Sequence, residues 1–174
     1  EEAKAELDKS VQTLHRTLDG TIQAIALIVE TKDPYTAGHQ RRVALLVEAM
    51  GKQLGLSKDR IETLRITGLL HDIGKMASPT AILSKPGVLS KNEFALIKEH
   101  SKVGYEILKK VAFPCPVAEI VYQHHERMDG SGYPRGLSGK DILLEARILG
   151  VADVVEAMAS HRPYRPAHGV PSAL

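Results

Sequence analysis

Cysteine is almost missing from this chain: Cys115, set between Pro114 and Pro116, is the only one. With no partner it excludes an intrachain disulfide framework and a thiolate zinc site, and a reduced, cytoplasmic protein is the expectation. Charge of one sign is scarce too, since the formal net charge is +2 and the basic residues are dispersed. That excludes a nucleic-acid polymer as the expected partner and leaves room for a small anionic ligand. Long apolar runs are also lacking. The longest, residues 22–29, is broken by Gln23 and falls well short of a membrane span. No signal peptide is visible, and no strand pattern, internal repeat or low-complexity segment stands out. The 174 residues suffice for one domain with a sizeable core and a helical extension. The chain starts without methionine and stops in mid-pattern after Leu174, so a piece of a longer polypeptide is expected.

What is present is helical period. Leu7, Val11, Leu14, Leu18, Ile22, Ile25 and Val29 recur at three and four residues, predicting a helix over 3–30 with Gly20 as its weak point. Its first half is expected to pair with another helix. Asp33 as N-cap and Pro34 in the first turn predict a second helix to about Leu54. Ser57 predicts a cap for a third, which delivers His71-Asp72 at its buried end. Residues 77–89, with Pro79, Pro86 and Gly87, read as a loop with at most a short helical turn. Ser90-Lys91-Asn92-Glu93 has the capping-box form and predicts a helix to about Lys110, with His100 on the face of Leu96, Ile97, Val103, Gly104 and Ile107. Pro116 opens a helix over 117–125. Residues 126–140, with four glycines and Pro134, read as a shaped loop, and 141–160 as a last helix.

The chemistry gathers on His71-Asp72-Ile73-Gly74-Lys75. An adjacent imidazole and carboxylate at a helix end suit a divalent metal, Gly74 lets the backbone leave tightly, and Lys75 offers a movable cation to a phosphate. A lone pair of this kind is ordinarily a satisfied helix-end histidine beside a solvated aspartate. The wider inventory changes that reading, because His39, His71, His100, His124 and His125 all lie in apolar-patterned segments, as does Asp153. Histidines on separate helices are expensive to bury unless something accepts their nitrogens. A shared ion site accounts for all of them. The donors are nitrogen and oxygen, which favours iron, manganese or another mid-row ion over structural zinc. With Asp72, seven donors are too many for one ion that keeps an open position. A binuclear site bridged by a carboxylate, hydrolysing a phosphate ester, resolves the count.

These residues resemble the HD-GYP family, a subset of the HD phosphohydrolase superfamily whose members are bacterial cyclic di-GMP phosphodiesterases. The resemblance runs from Asp33-Pro34-Tyr35-Thr36, His39 and Arg42 through His71-Asp72-Ile73-Gly74-Lys75 and Lys98-Glu99-His100. It continues over His124-His125-Glu126-Arg127-Met128-Asp129-Gly130-Ser131-Gly132-Tyr133-Pro134 to Ala152-Asp153 and Arg162-Pro163-Tyr164-Arg165. It implies an all-α helical bundle of the HD-domain type, with residues 1–30 as an N-terminal linker or dimerisation helix and 31–174 as a catalytic domain lacking its final segment. It places the metal ligands on His39, His71, Asp72, His100, His124, His125 and Asp153, with Asp72 as the bridge. Lys75 falls on the lysine that contacts the scissile phosphate or aids the leaving group. Gly132 and Tyr133 fall in the loop that shapes the guanine-nucleotide pocket, and Arg162 and Arg165 on residues that hold the substrate's phosphates; for an isolated arginine pair, the bland reading is a solvated helix end.

Two departures stand out. Tyr35 occupies the place of a glutamate associated with a third ion in some members, so two divalent ions, iron or manganese, are expected. Glu156 replaces the usual aspartate three residues after Asp153 and is expected to orient a ligand. The leading expectation is hydrolysis of cyclic di-GMP to the linear dinucleotide pGpG and onward to GMP, under an upstream sensory or receiver domain. A nucleotide or guanosine-tetraphosphate hydrolase of the wider superfamily, or a module that binds the dinucleotide without cutting it, are the other readings. The Gly132-Tyr133-Pro134 loop opposes the former, and the complete ligand set with Lys75 the latter.

Overall fold

A computed structural model describes residues 1–33 and 37–160. Among them there is no strand, and the order is α1 (Glu2–Lys32), α2 (His39–Gln53), α3 (Lys58–Leu70), a 3-10 turn (Ile73–Ala77), α4 (Thr80–Leu83), α5 (Lys91–Leu108), α6 (Val117–Gln123), a second 3-10 turn (Gly139–Asp141) and α7 (Leu144–Ala159). The expected all-α bundle is what forms. The caps at Ser57 and Ser90 form as well: the Ser57 hydroxyl accepts from the Arg60 amide, and Ser90 and Glu93 complete the capping box. No helix among the described residues is long and apolar enough to cross a membrane.

Two apolar clusters hold the bundle. Val43, Val47, Leu64, Ile120 and Leu149, all at 0% exposure, join α2, α3, α6 and α7. Burying a side chain of this size contributes about 1.5–3 kcal/mol. The second cluster joins Leu69, Leu70, Leu108 and Val121 to Ala26, with Ile22 and Ile25 packed against it, so the second half of α1 is docked on the bundle. Its first half is not: Leu7, Leu14 and Leu18 stay more than half exposed. The helix runs unbroken through Gly20.

Several elements depart from the sequence expectation. Asp33 is the C-cap of α1 and not the N-cap of α2, which opens at His39 after Gly38. The carboxylate of Asp33 is buried and lies 3.4 Å from Lys75 Nζ, a tertiary pairing that outcompetes local capping. Gly38 is left-handed at φ 71°, which only glycine adopts freely, and its N–H donates to Glu30 Oε2 at 2.9 Å. The buried face of α5 is His100, Ser101, Gly104 and Leu108, while Leu96 and Ile107 are exposed. Ile142 is buried in extended backbone, so α7 starts three residues later than the apolar pattern implied.

Gly74 does not serve by conformational freedom, since its φ is not positive. It serves by size: a Cβ there would lie 1.8 Å from the His100 carbonyl oxygen, so the turn after Asp72 rests directly on the backbone of α5. Gly74→Ala is expected to force these backbones apart and cost at least about 1–3 kcal/mol in chemical denaturation. Gly20→Ala, with nothing within 4 Å of the added methyl, should gain about 0.5–1 kcal/mol. Equal stability of the two variants would contradict this packing.

Candidate metal centre

Five elements carry the donors, and the fold turns them inward. His39 opens α2, His71 caps α3 with Asp72 next to it, His100 sits within α5, His124 caps α6 and precedes His125, and Asp153 lies on α7. They form two groups, His39–His71–Asp153 and His100–His124–His125, in each of which the candidate ligand atoms lie within 4.8 Å of one another. Asp72 stands between them. Its Oδ2 is 3.5 Å from His71 Nε2 and its Oδ1 is 3.6 Å from His100 Nε2.

The hydrogen bonds decide which nitrogens are left for an ion. His71, His100 and His124 each donate Nδ1–H to the carbonyl three residues earlier: Gly68 at 2.9 Å, Ile97 at 2.7 Å and Val121 at 2.6 Å. That leaves each ring an Nε2 lone pair with no proton to give. His71 Nε2 is buried with no hydrogen-bond partner. His100 Nε2 and His124 Nε2 face each other at 3.4 Å, acceptor against acceptor. Buried lone pairs so arranged are costly unless a cation takes them, and a second-nitrogen bond to a carbonyl is the support that metal-binding histidines use. The residues therefore fit a divalent metal of nitrogen and oxygen preference.

His39 is oriented differently. Its Nδ1–H donates to Glu156, and its Nε2 lies 3.1 Å from Asp153 Oδ1. Glu156 also accepts from Arg42 Nε at 2.5 Å and from the Ser160 hydroxyl, so this longer carboxylate reaches and steadies the ring as expected of it. Burial opposes charge on His39, but the hydrogen bonds to Asp153 and Glu156 outweigh it and push the pKa up to about 9. Burial, with His100 nearby, drives His125 down to about 3, and burial with His125 and His100 holds His124 well below its ordinary value. Burial likewise opposes charge on Asp72, yet Lys75 and the surrounding histidines keep its carboxyl well below the usual range. His100, His124 and His125 thus favour neutral rings beside an ionised Asp72, as ligands need, while His39 holds a proton between Asp153 and Glu156 that an incoming ion would displace.

Lys75 is 16% exposed and sits between two carboxylates, with Nζ 2.7 Å from Asp72 Oδ2 and 3.4 Å from Asp33 Oδ2. Burial lowers its pKa, but Asp72 and Asp33 outweigh that and raise it, so it stays charged. Asp33 is a site residue that the sequence marks only as a helix cap and as part of the Asp33-Pro34-Tyr35-Thr36 motif, and that motif is the signal for its place here. Gly132 meets backbone, since a Cβ would lie 2.4 Å from the Arg127 nitrogen. That approach lets the Tyr133 amide donate to the His125 carbonyl at 3.1 Å and sets the Tyr133 ring 4.7 Å from the His125 ring. Arg162, Arg165 and Tyr35 lie outside the described residues.

The HD domain family matches residues 23–174. The chain belongs to that family. This HD domain is 42% identical over 158 residues, 90% of its length, to a 3'3'-cGAMP-specific phosphodiesterase of Vibrio cholerae. It is 41% identical over 156 residues, 88% of its length, to a cyclic di-GMP phosphodiesterase response regulator of Xanthomonas campestris. It spans only 34% and 41% of those two proteins. Among solved structures, an HDG"Y"P protein of Bdellovibrio bacteriovorus aligns with TM-score 0.63 and 27% identity over 73% of this chain and 42% of its own. The fold is shared with a cyclic GMP-AMP phosphodiesterase of V. cholerae at TM-score 0.68 and 20% identity, over 88% of this chain and 42% of the other. These relatives agree with the HD-GYP resemblance of the motifs.

Glu156→Gln keeps the size of the side chain and removes the charge that holds His39. Manganese affinity measured by titration should fall about 10- to 100-fold with the fold intact. Unchanged affinity would show that Glu156 does not support the ligand.

Proposed function

We propose that this chain is the catalytic unit of a metal-dependent phosphodiesterase that hydrolyses cyclic di-GMP to pGpG and then to GMP. The observation that carries the reading is the trio of buried histidines with Nδ1 committed to carbonyls, of which His71 and His100 turn Nε2 toward Asp72 and His124 turns Nε2 toward that of His100. His39, His71 and Asp153 would hold one divalent ion, His100, His124 and His125 the other, and Asp72 would serve both, with iron or manganese as the ions. When bound, such a pair supplies Lewis acidity toward phosphoryl oxygens and activates water for in-line attack.

The chain's own residues do the rest. Asp72 is kept ionised by its neighbours and so keeps both oxygens available. Lys75, anchored by Asp33, keeps an ammonium beside the place where a phosphate meets Asp72, able to steady charge on the scissile group or the departing oxygen. Tyr133, laid on His125, walls one side of the site. 3'3'-cGAMP is the second substrate reading, favoured by three relatives that are 3'3'-cGAMP-specific phosphodiesterases. Control by an upstream sensory or receiver domain, and a homodimer through the uncovered stripe on the first half of α1, belong to the same proposal.

Protein purified without chelator, assayed for metal and for products from cyclic di-GMP and 3'3'-cGAMP, tests it. We expect a linear product that a chelator abolishes and manganese or iron restores; no cleavage of either dinucleotide would contradict it. Asp72→Ala should lose metal and activity while staying helical. Lys75→Met removes a cation from beside the ions, so metal content should hold while turnover falls about 10²–10⁴-fold. Normal turnover, or loss of the metals, would refute the role of Lys75.

A further inference from the structure

The last turn of α1 grips the surroundings of Asp72 from two sides. Glu30 Oε2 accepts from the amide of Gly38, the residue before His39, at 2.9 Å. Lys32 Nζ donates to the carbonyl of Met76, the residue after Lys75. Asp33, the buried C-cap, holds its Oδ2 3.4 Å from Lys75 Nζ. Further back on the helix Ala26 and Val29 are buried, and Asp19 Oδ1 accepts from Arg65 of α3 at 2.5 Å, so this half of α1 is braced on the bundle. The docked helix end therefore sets a second carboxylate across from Asp72, with Lys75 between the two.

Lys75 is the nearer to Asp72. Its Nζ is 2.7 Å from Oδ2, and that same oxygen lies 3.5 Å from His71 Nε2, whereas Oδ1 lies toward His100. Oδ2 is thus the oxygen available to an ion among His39, His71 and Asp153. A divalent ion and an ammonium repel each other, and a buried site screens that repulsion poorly. Both cannot keep the same oxygen. A lysine is a point charge on a flexible stem with three rotatable donors, so it can turn to another acceptor without giving up its charge. Asp33 stands ready as that acceptor.

We propose that Asp33 is a positioning residue that receives Lys75 when an ion takes Oδ2 of Asp72, so that filling of the first metal position and docking of α1 reinforce each other. The assignment rests on the reading that His39, His71, Asp72 and Asp153 hold that ion. No covalent bond changes in the exchange, and the proton stays on Lys75. Coupling of this kind is reciprocal: whatever loosens the end of α1 weakens the ion, and the ion tightens the end of α1. Anything that holds the uncovered first half of α1 thereby gains a route to the metal centre.

Manganese alone is the probe. Titration of Asp33→Asn, which keeps the shape and removes the charge, should show affinity about tenfold below that of the unaltered chain, because Lys75 then stays on Asp72. In a Lys75→Met background the same change should alter affinity by less than about twofold, since the competing ammonium is gone. An equal loss in both backgrounds would make Asp33 a structural support and overturn the proposal, as would no loss in either. Hydrogen exchange needs no Asp33 variant: manganese should slow the amides of residues 26–33 about tenfold in the unaltered chain and leave them unchanged in Lys75→Met. No slowing, or equal slowing in both chains, would overturn the coupling as well. Coupling found in a chain that cuts neither dinucleotide would uphold this inference and overturn the proposed function alone.

Discussion

The arrangement depends on one buried charge. Asp72 is 3% exposed, and a carboxylate so placed is destabilising unless cations and donors surround it. Its surroundings come from distant parts of the chain: Lys75 from the turn that follows it, His71 from α3, His100 from α5 and Asp33 through Lys75 from the end of α1. The contact of Gly74 with α5 is what brings His100 within reach of Asp72. Packing and electrostatics are therefore one problem here, since the backbone approach that seats the turn also assembles the charge cluster.

Helix ends do a second part of the work. The last carbonyls of an α-helix lack intrahelical partners, and His71 and His124, as C-caps, take Gly68 and Val121 for their Nδ1 protons. One bond thus satisfies an orphan carbonyl, fixes the tautomer and aims Nε2 at the site. His39 stands at the start of a helix, where free amides and not carbonyls are on offer, and its proton goes to Glu156 instead.

Much of this was legible in the sequence because it depends on local pattern. The capping box at Ser90, the helix that ends on His71-Asp72, and the glycine-rich loop that carries Tyr133 each follow from residue types at fixed spacing. What was not legible depends on tertiary partners. Asp33 reads as a helix cap until Lys75 is seen beside it, and α5 reads as burying Leu96 and Ile107 until the packing of Gly74 turns its face toward His100 and Gly104.

The central claim is that Asp72 is shared by two metal positions. Anomalous X-ray scattering from crystals of the manganese-loaded chain tests it most directly. The account predicts two peaks, one among His39, His71 and Asp153 and one among His100, His124 and His125, with Asp72 in contact with both. A single peak, or two peaks of which only one touches Asp72, would contradict it.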